Sequence, residues 1–152
     1  MSRHTARIHA FNLIFQFPFH IEWDMFSLKE AVSQHIKTLP DLEGFVRGLY
    51  PDKEDHTFIA DEVFGTFSHL SQIDNQIEGL LKDWELNRIA KVDLALLRLA
   101  MFEMQFSADI SPATAINEAV ELAKVYGTDD SPSFINGLLG QATKDAKEAN
   151  DG

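Results

Sequence analysis

Residues 89–106 read IAKVDLALLRLAMFEMQF. Placed on a helical wheel, this run is apolar nearly all round, with Asp93, Arg98 and Glu103 as the exceptions. A helix that is hydrophobic on every side must be covered on every side, so the stretch predicts a helix in the middle of an all-α fold. The charge of Arg98 in such a helix needs a partner. Glu118 or Glu121, on the next helix, can offer the bidentate acceptors that a guanidinium prefers, and Arg98 is therefore expected to be structural.

Downstream, Ser111-Pro112 supplies an N-cap followed by proline at the first helical position. The helix it starts carries Ala115, Ile116, Ala119, Val120 and Ala123, whose small residues allow a neighbouring helix to approach closely. Gly127 is read as a left-handed C-terminal stop. Ser131-Pro132 repeats the start signal for a last helix through Phe134, Ile135, Leu138, Leu139 and Ala142. Gly137 inside that helix costs about 1 kcal/mol relative to alanine, so it is expected to permit close contact with another helix. From about residue 144 the tail turns polar and is expected to fray.

Upstream, Ser71 or Asp74 starts a shorter helix through Ile77, Leu80 and Leu81. Before it, Pro51 and a group of acids open a longer one. Its expected core face is Phe58, Ile59, Val63, Phe64 and Phe67, with Glu62 at the edge. Asp24 or Ser27 caps a helix through Leu28, Ala31, Val32 and Ile36 that stops before Pro40, and residues 41–50 add a short turn or two. In the opening segment Ile8, Phe11 and Phe15 recur at helical spacing, and Pro18 ends the helix. There is no period-2 strand, internal repeat or low-complexity linker.

The chain has 152 residues, 45% of them hydrophobic, which predicts one domain over 1–152 with a real core. It has no cysteine, so it has neither a disulfide framework nor a thiolate metal site. No signal peptide and no apolar run of membrane-spanning length is apparent, so a cytoplasmic protein is expected. The formal net charge of -11 argues against broad affinity for nucleic acid or anionic membranes. Any nucleic-acid contact must be local, or shared with a basic partner.

Catalytic chemistry is not legible. A carboxylate-bridged metal bundle needs Glu-x-x-His on facing helices, and none of the six histidines has a Glu three residues before it. The eight glycines are scattered and form no phosphate loop. Neither Ser nor Asp stands at a recognisable catalytic spacing from His. The chain is expected to be no enzyme and to hold no cofactor or metal.

Two stretches carry a resemblance to a known family. Asp93, Leu97, Arg98, Ala100, Phe102 and Glu103 are followed by Ile116, Asn117, Glu118, Ala119, Glu121, Leu122, Ala123 and Lys124, then by Asp130, Ser131, Phe134, Asn136 and Gly137. This order, over roughly residues 88–142, strongly resembles the C-terminal half of the NusB family of bacterial antitermination factors. At the N-terminus, Arg3, Ala6, Arg7 and Phe15 follow the family pattern, while His4 and Thr5 stand where it tends to have arginine and Ile8 where it has Glu. The resemblance implies two small helical bundles sharing a central buried helix. It also implies boxA-type single-stranded RNA as ligand, the small-subunit ribosomal protein NusE as partner, and a place in the RNA polymerase antitermination complex that supports ribosomal RNA transcription.

The same resemblance implies RNA contact by Arg3, His4 and Arg7, and by Asp130, Ser131 and Phe134, whose aromatic position borders the RNA surface in the family. Without it, Arg3 and Arg7 are one turn apart at the rim of an apolar stripe and read as ordinary N-terminal charges. Asp93 has two readings: a helix-start charge favoured by the dipole, or the acid that the family places near its NusE-facing surface. Asn117, Glu118 and Glu121 read as structural, with Asn117 satisfying a loop backbone. A rival reading is a helical protein-interaction module of the same fold with weak or lost RNA binding. A second, the RNA-binding appendage of a ribosomal RNA methyltransferase, would need a nucleotide-binding portion that the sequence lacks.

Overall fold

The computed structural model describes residues 1–16, 46–82 and 85–151, and the expected helix over 24–36 and the Pro18 stop lie outside them. Among the described residues there is no strand. The elements are α1 (Arg3–Gln16), a helical segment at 46–49, α2 (Lys53–Ser68), α3 (Leu70–Leu80), a single 3-10 turn (Leu86–Arg88), α4 (Lys91–Phe106), α5 (Pro112–Tyr126) and α6 (Ser131–Asp151). They form two compact units, Met1–Ser71 and Gln72–Gly152.

In the first unit α1 packs on α2. The Asp52 carboxylate caps α2, accepting from the backbone N–H groups of Glu54 and Asp55 at 3.0 and 3.2 Å. This satisfies two of the four donors that a helix start leaves over. The buried side of α1 is Ala6, Arg7, Ala10, Phe11, Leu13 and Ile14, while Phe15, expected in the core, is 43% exposed. The whole helix is therefore rotated relative to the expected Ile8–Phe11–Phe15 stripe. In α2 the buried residues are His56, Ile59, Ala60, Glu62, Val63 and Thr66. Phe58, Phe64 and Phe67 are only half-buried, and Glu62, placed at the edge by its charge, is inside. A hydrogen-bonded cluster ties residue 50 to both helices: the Tyr50 hydroxyl lies 2.9 Å from His9 Nδ1, and His56 Nδ1 donates to the Tyr50 carbonyl at 3.2 Å. Burial raises the Tyr50 hydroxyl above its ordinary pKa, which keeps it protonated.

In the second unit α4 is buried without interruption from Asp93 to Glu103, as its sequence requires. It packs on α5 and α6, which also pack on each other. Ser111 caps α5 as expected, its hydroxyl accepting from Thr114 N–H at 3.2 Å. Ala115, Ala119, Leu122 and Ala123 form the buried side of α5, and Ile135, Leu138 and Leu139 that of α6.

Two expectations for α5 and α6 are corrected. Gly127 is not left-handed: its φ is -94° and its ψ -165°, an extended conformation open to any residue. It is glycine because of space. A Cβ there would stand 2.5 Å from Ser131 Oγ, 2.6 Å from Ser131 Cβ and 2.9 Å from the Ala123 carbonyl oxygen. Gly137 has the opposite surroundings: it is exposed, and a Cβ added to it would meet nothing within 4 Å, so it mediates no close helix contact. The polar tail beyond 144 is helical, since α6 runs unbroken to Asp151.

Candidate nucleic-acid interface

Ser2 sets the start of α1. Its hydroxyl accepts from Thr5 N–H at 3.1 Å and its carbonyl accepts the first helical bond, from Ala6 N–H at 2.9 Å. From that anchor the helix carries Arg3, Arg7, Phe11 and Ile14 along one inclined row. The row enters the core between its first and second members: Arg3 and His4 are exposed, but Arg7 is only 4% exposed. The expected phosphate contact by Arg7 is therefore corrected, because a guanidinium inside the unit cannot meet a ligand without moving out. Both arginines lie against Phe58 of α2, the Arg3 guanidinium carbon 4.3 Å from the ring centroid and that of Arg7 5.8 Å. Phe58 was expected in the core. Nothing in the sequence couples position 58 to position 3, because the pairing comes from how α2 crosses α1.

The three arginines differ in what holds them. Arg98 is gripped by its edge: Nε donates to Asp74 Oδ1 at 2.9 Å and Nη2 to Asp74 Oδ2 at 2.8 Å. Arg98 is buried and its bidentate acceptor is Asp74 of α3, where Glu118 or Glu121 of α5 was expected to offer that pair. Glu121 is on the outer side of α5 and pairs with Lys124 at 2.8 Å, with both side chains more than half exposed. Asn117 is exposed and bonds no loop backbone among the described residues, and Glu118 is half-buried. Arg3 is held by its face alone. Among the described residues no acceptor takes its N–H donors, so they are available to a ligand.

The joint at 127–134 is built around the Ser131 hydroxyl. It accepts from Thr128 N–H at 2.9 Å and lies 3.2 Å from Thr128 Oγ1. Ser131 thus fastens the preceding loop, whereas the helix-start carbonyl belongs to Asp130, which accepts from Phe134 N–H at 3.1 Å. Ser131 is 1% exposed, which removes it from any binding surface and makes it structural. Asp130 is exposed and Phe134 is half-buried, so this lip presents an acid beside a partly covered ring.

Asp93 lies in the first turn of α4, where the dipole favours an acid. It is not solvated: the residue is 8% exposed, and among the described residues its Oδ1 has no hydrogen-bond partner. An orphaned buried acceptor costs about 1–3 kcal/mol, which a donor from outside the chain would offset. No group of three His, Asp or Glu among the described residues could hold a metal ion. No helix there is long and apolar enough to cross a membrane.

The NusB family model matches residues 4–144. The chain belongs to the NusB family. The transcription antitermination protein NusB of Thermoanaerobacter sp. (strain X514) is 42% identical over 124 residues, covering 82% of this chain and 87% of that protein. That of Limosilactobacillus reuteri (strain DSM 20016) is 36% identical over 151 residues, covering 99% of both. Among solved structures, T. maritima NusB superposes with a TM-score of 0.73 at 33% identity, covering 95% of this chain and 92% of that one. The NusB match spans both helical units. It also explains why the INEAVELAK run at 116–124 stood out in the sequence although only part of it is inside. Ala119, Leu122 and Ala123 fill the core, while Asn117, Glu121 and Lys124 line the outer side of α5.

Proposed function

We propose that this NusB-family chain is a transcription antitermination factor. It binds boxA-type single-stranded RNA together with the ribosomal protein NusE, within the RNA polymerase antitermination complex in the cytoplasm, and supports ribosomal RNA transcription. The observation that carries the RNA part is Arg3, an exposed guanidinium whose hydrogen-bonding edge no described residue occupies. The Oδ1 of Asp93, which has no hydrogen-bond partner among the described residues, supports docking of a basic partner. The net charge of -11 makes the partner necessary, because the long-range field of the chain repels RNA. The burial of Arg7, together with that charge, favours the rival interaction module, which predicts none of the RNA effects below.

The test is a titration of boxA-type RNA with and without NusE, using variants of the Asp130–Phe134 lip. The protein alone binds weakly and NusE raises its affinity. Phe134 offers a ring for stacking, worth about 1–3 kcal/mol by alanine substitution, so Phe134→Ala weakens RNA binding about five-fold or more. Asp130→Asn tightens it, most visibly at low salt, by removing a like charge. If Phe134→Ala only lowers the melting temperature while Asp130→Asn leaves RNA affinity unchanged, the lip is a packing joint and the rival stands. Asp93→Asn is a separate arm: it weakens NusE binding and leaves RNA affinity of the isolated protein as it was. Unaltered NusE binding would return Asp93 to a purely helix-start role.

A further inference from the structure

The Arg3–Phe58 contact goes beyond this reading and rests on it. A cation over a ring face is held by the ring quadrupole. The guanidinium is flat, and its donors point outward in its own plane. Stacking on an aromatic face therefore restrains the group without using any donor, the converse of Arg98, whose edge is taken by Asp74. Arg3 shows both halves of this arrangement: its carbon is 4.3 Å from the Phe58 centroid, and no described residue accepts from its nitrogens. The Asp55 carboxylate lies one turn before Phe58 on α2. It is engaged by the Met1 amine at 3.2 Å. Deeper along the row, the buried Arg7 guanidinium lies 5.8 Å from the same ring. Phe58 is thereby half-buried, with Arg3 at the solvent end of the row.

We propose that Phe58 is a positioning residue for nucleic acid: it holds the Arg3 guanidinium by its face so that the free edge meets a backbone phosphate in a bidentate hydrogen bond. An exposed arginine otherwise samples many rotamers, and ordering it on binding reduces affinity. Phe58 removes part of that cost before the ligand arrives. It touches the arginine and not the RNA.

The experiment is a double-mutant cycle of Arg3→Ala and Phe58→Leu on the full chain, read by titration of short boxA-type single-stranded RNA, alone and with NusE, over a range of salt. Thermal melts of every variant run alongside, and Phe58→Tyr is the conservative control. Arg3→Ala weakens binding and makes the log–log salt dependence shallower by about 0.7, the loss of one phosphate contact on a single strand. An exposed cation–π contact corresponds to about a two- to five-fold change. Phe58→Leu is expected to weaken binding by that factor when Arg3 is present and to have no further effect when Arg3 is alanine. Phe58→Tyr keeps full affinity. Equal losses from Phe58→Leu in both backgrounds overturn the proposal, since the ring would then act on RNA directly or through the fold. A Phe58→Tyr protein that melts normally but fails to restore affinity overturns it as well. If the wild-type chain binds no RNA under any condition, the antitermination reading fails and this inference fails with it. If Arg3→Ala weakens binding but the cycle is additive, only the role of Phe58 is lost.

Discussion

Arg98→Ala is expected to lower the unfolding free energy by about 3 kcal/mol, the lower end of what removing one member of a buried ion pair costs. The value follows from where the charges sit. The Arg98 side chain is 5% exposed, and the Asp74 carboxylate that accepts from its Nε and Nη2 is 19% exposed. Without the guanidinium, that carboxylate keeps only a little water. Asp74→Ala acts in the same direction, because it takes the bidentate acceptor from a guanidinium on α4, where the whole span from Asp93 to Glu103 is buried. The diagnostic variant is the pair Arg98→Met with Asp74→Leu. Replacing a buried ion pair by apolar groups of similar volume is often close to neutral, so the double variant should recover most of what either single variant loses. Urea unfolding of the three proteins measures this. A midpoint for Arg98→Ala equal to wild type would show that the bidentate pair contributes nothing to the second unit.

Gly127→Ala should destabilise by about 2–3 kcal/mol, an overpacking effect at the high end for one added methyl group. The three atoms in its way have little freedom. Ser131 Oγ and Cβ belong to a short side chain that is 1% exposed, and the Ala123 oxygen is backbone at the end of α5. Pushing Ser131 aside also breaks its bond from Thr128 N–H at 2.9 Å, which adds about 1 kcal/mol. Gly137→Ala is the control. With open space beyond it, the same methyl group should stabilise α6 by about 0.5–1 kcal/mol through helix propensity alone. Paired melts of the two variants should move in opposite directions. If both stabilise, the loop can relax and close approach is not the reason for glycine at 127.

The arginines show how far the candidate site could be read in advance. That Arg3 and Arg7 share a side of α1 follows from their spacing, and the row they begin is present. Which of them meets solvent does not follow, because it depends on how α1 is turned toward α2. A helix has about 3.6 residues per turn, so a rotation of one position moves a side chain by more than a quarter of the circumference. The rotation that buries Arg7 and Ala10 also exposes Phe15. Ser131 failed for a different reason. Ser-Pro correctly marked the start of α6, but a hydroxyl has one short reach, and here it serves Thr128 behind it.

The sequence by itself determined the helical class, the starts of α2 and α5, the burial of α4 and the NusB signature. These are local or nearly local properties. A cap satisfies donors within one turn, as Asp52 and Ser111 do. An all-apolar circumference leaves α4 no alternative to burial. Only the tertiary structure decided that Arg98 meets Asp74 of α3, that Phe58 lies under Arg3, that Glu62 is inside, and that Gly127 is held by space and not by its backbone angles. Each of these depends on which sides of two helices face each other. That choice is made by the packing of many side chains at once, and no single spacing in the chain records it.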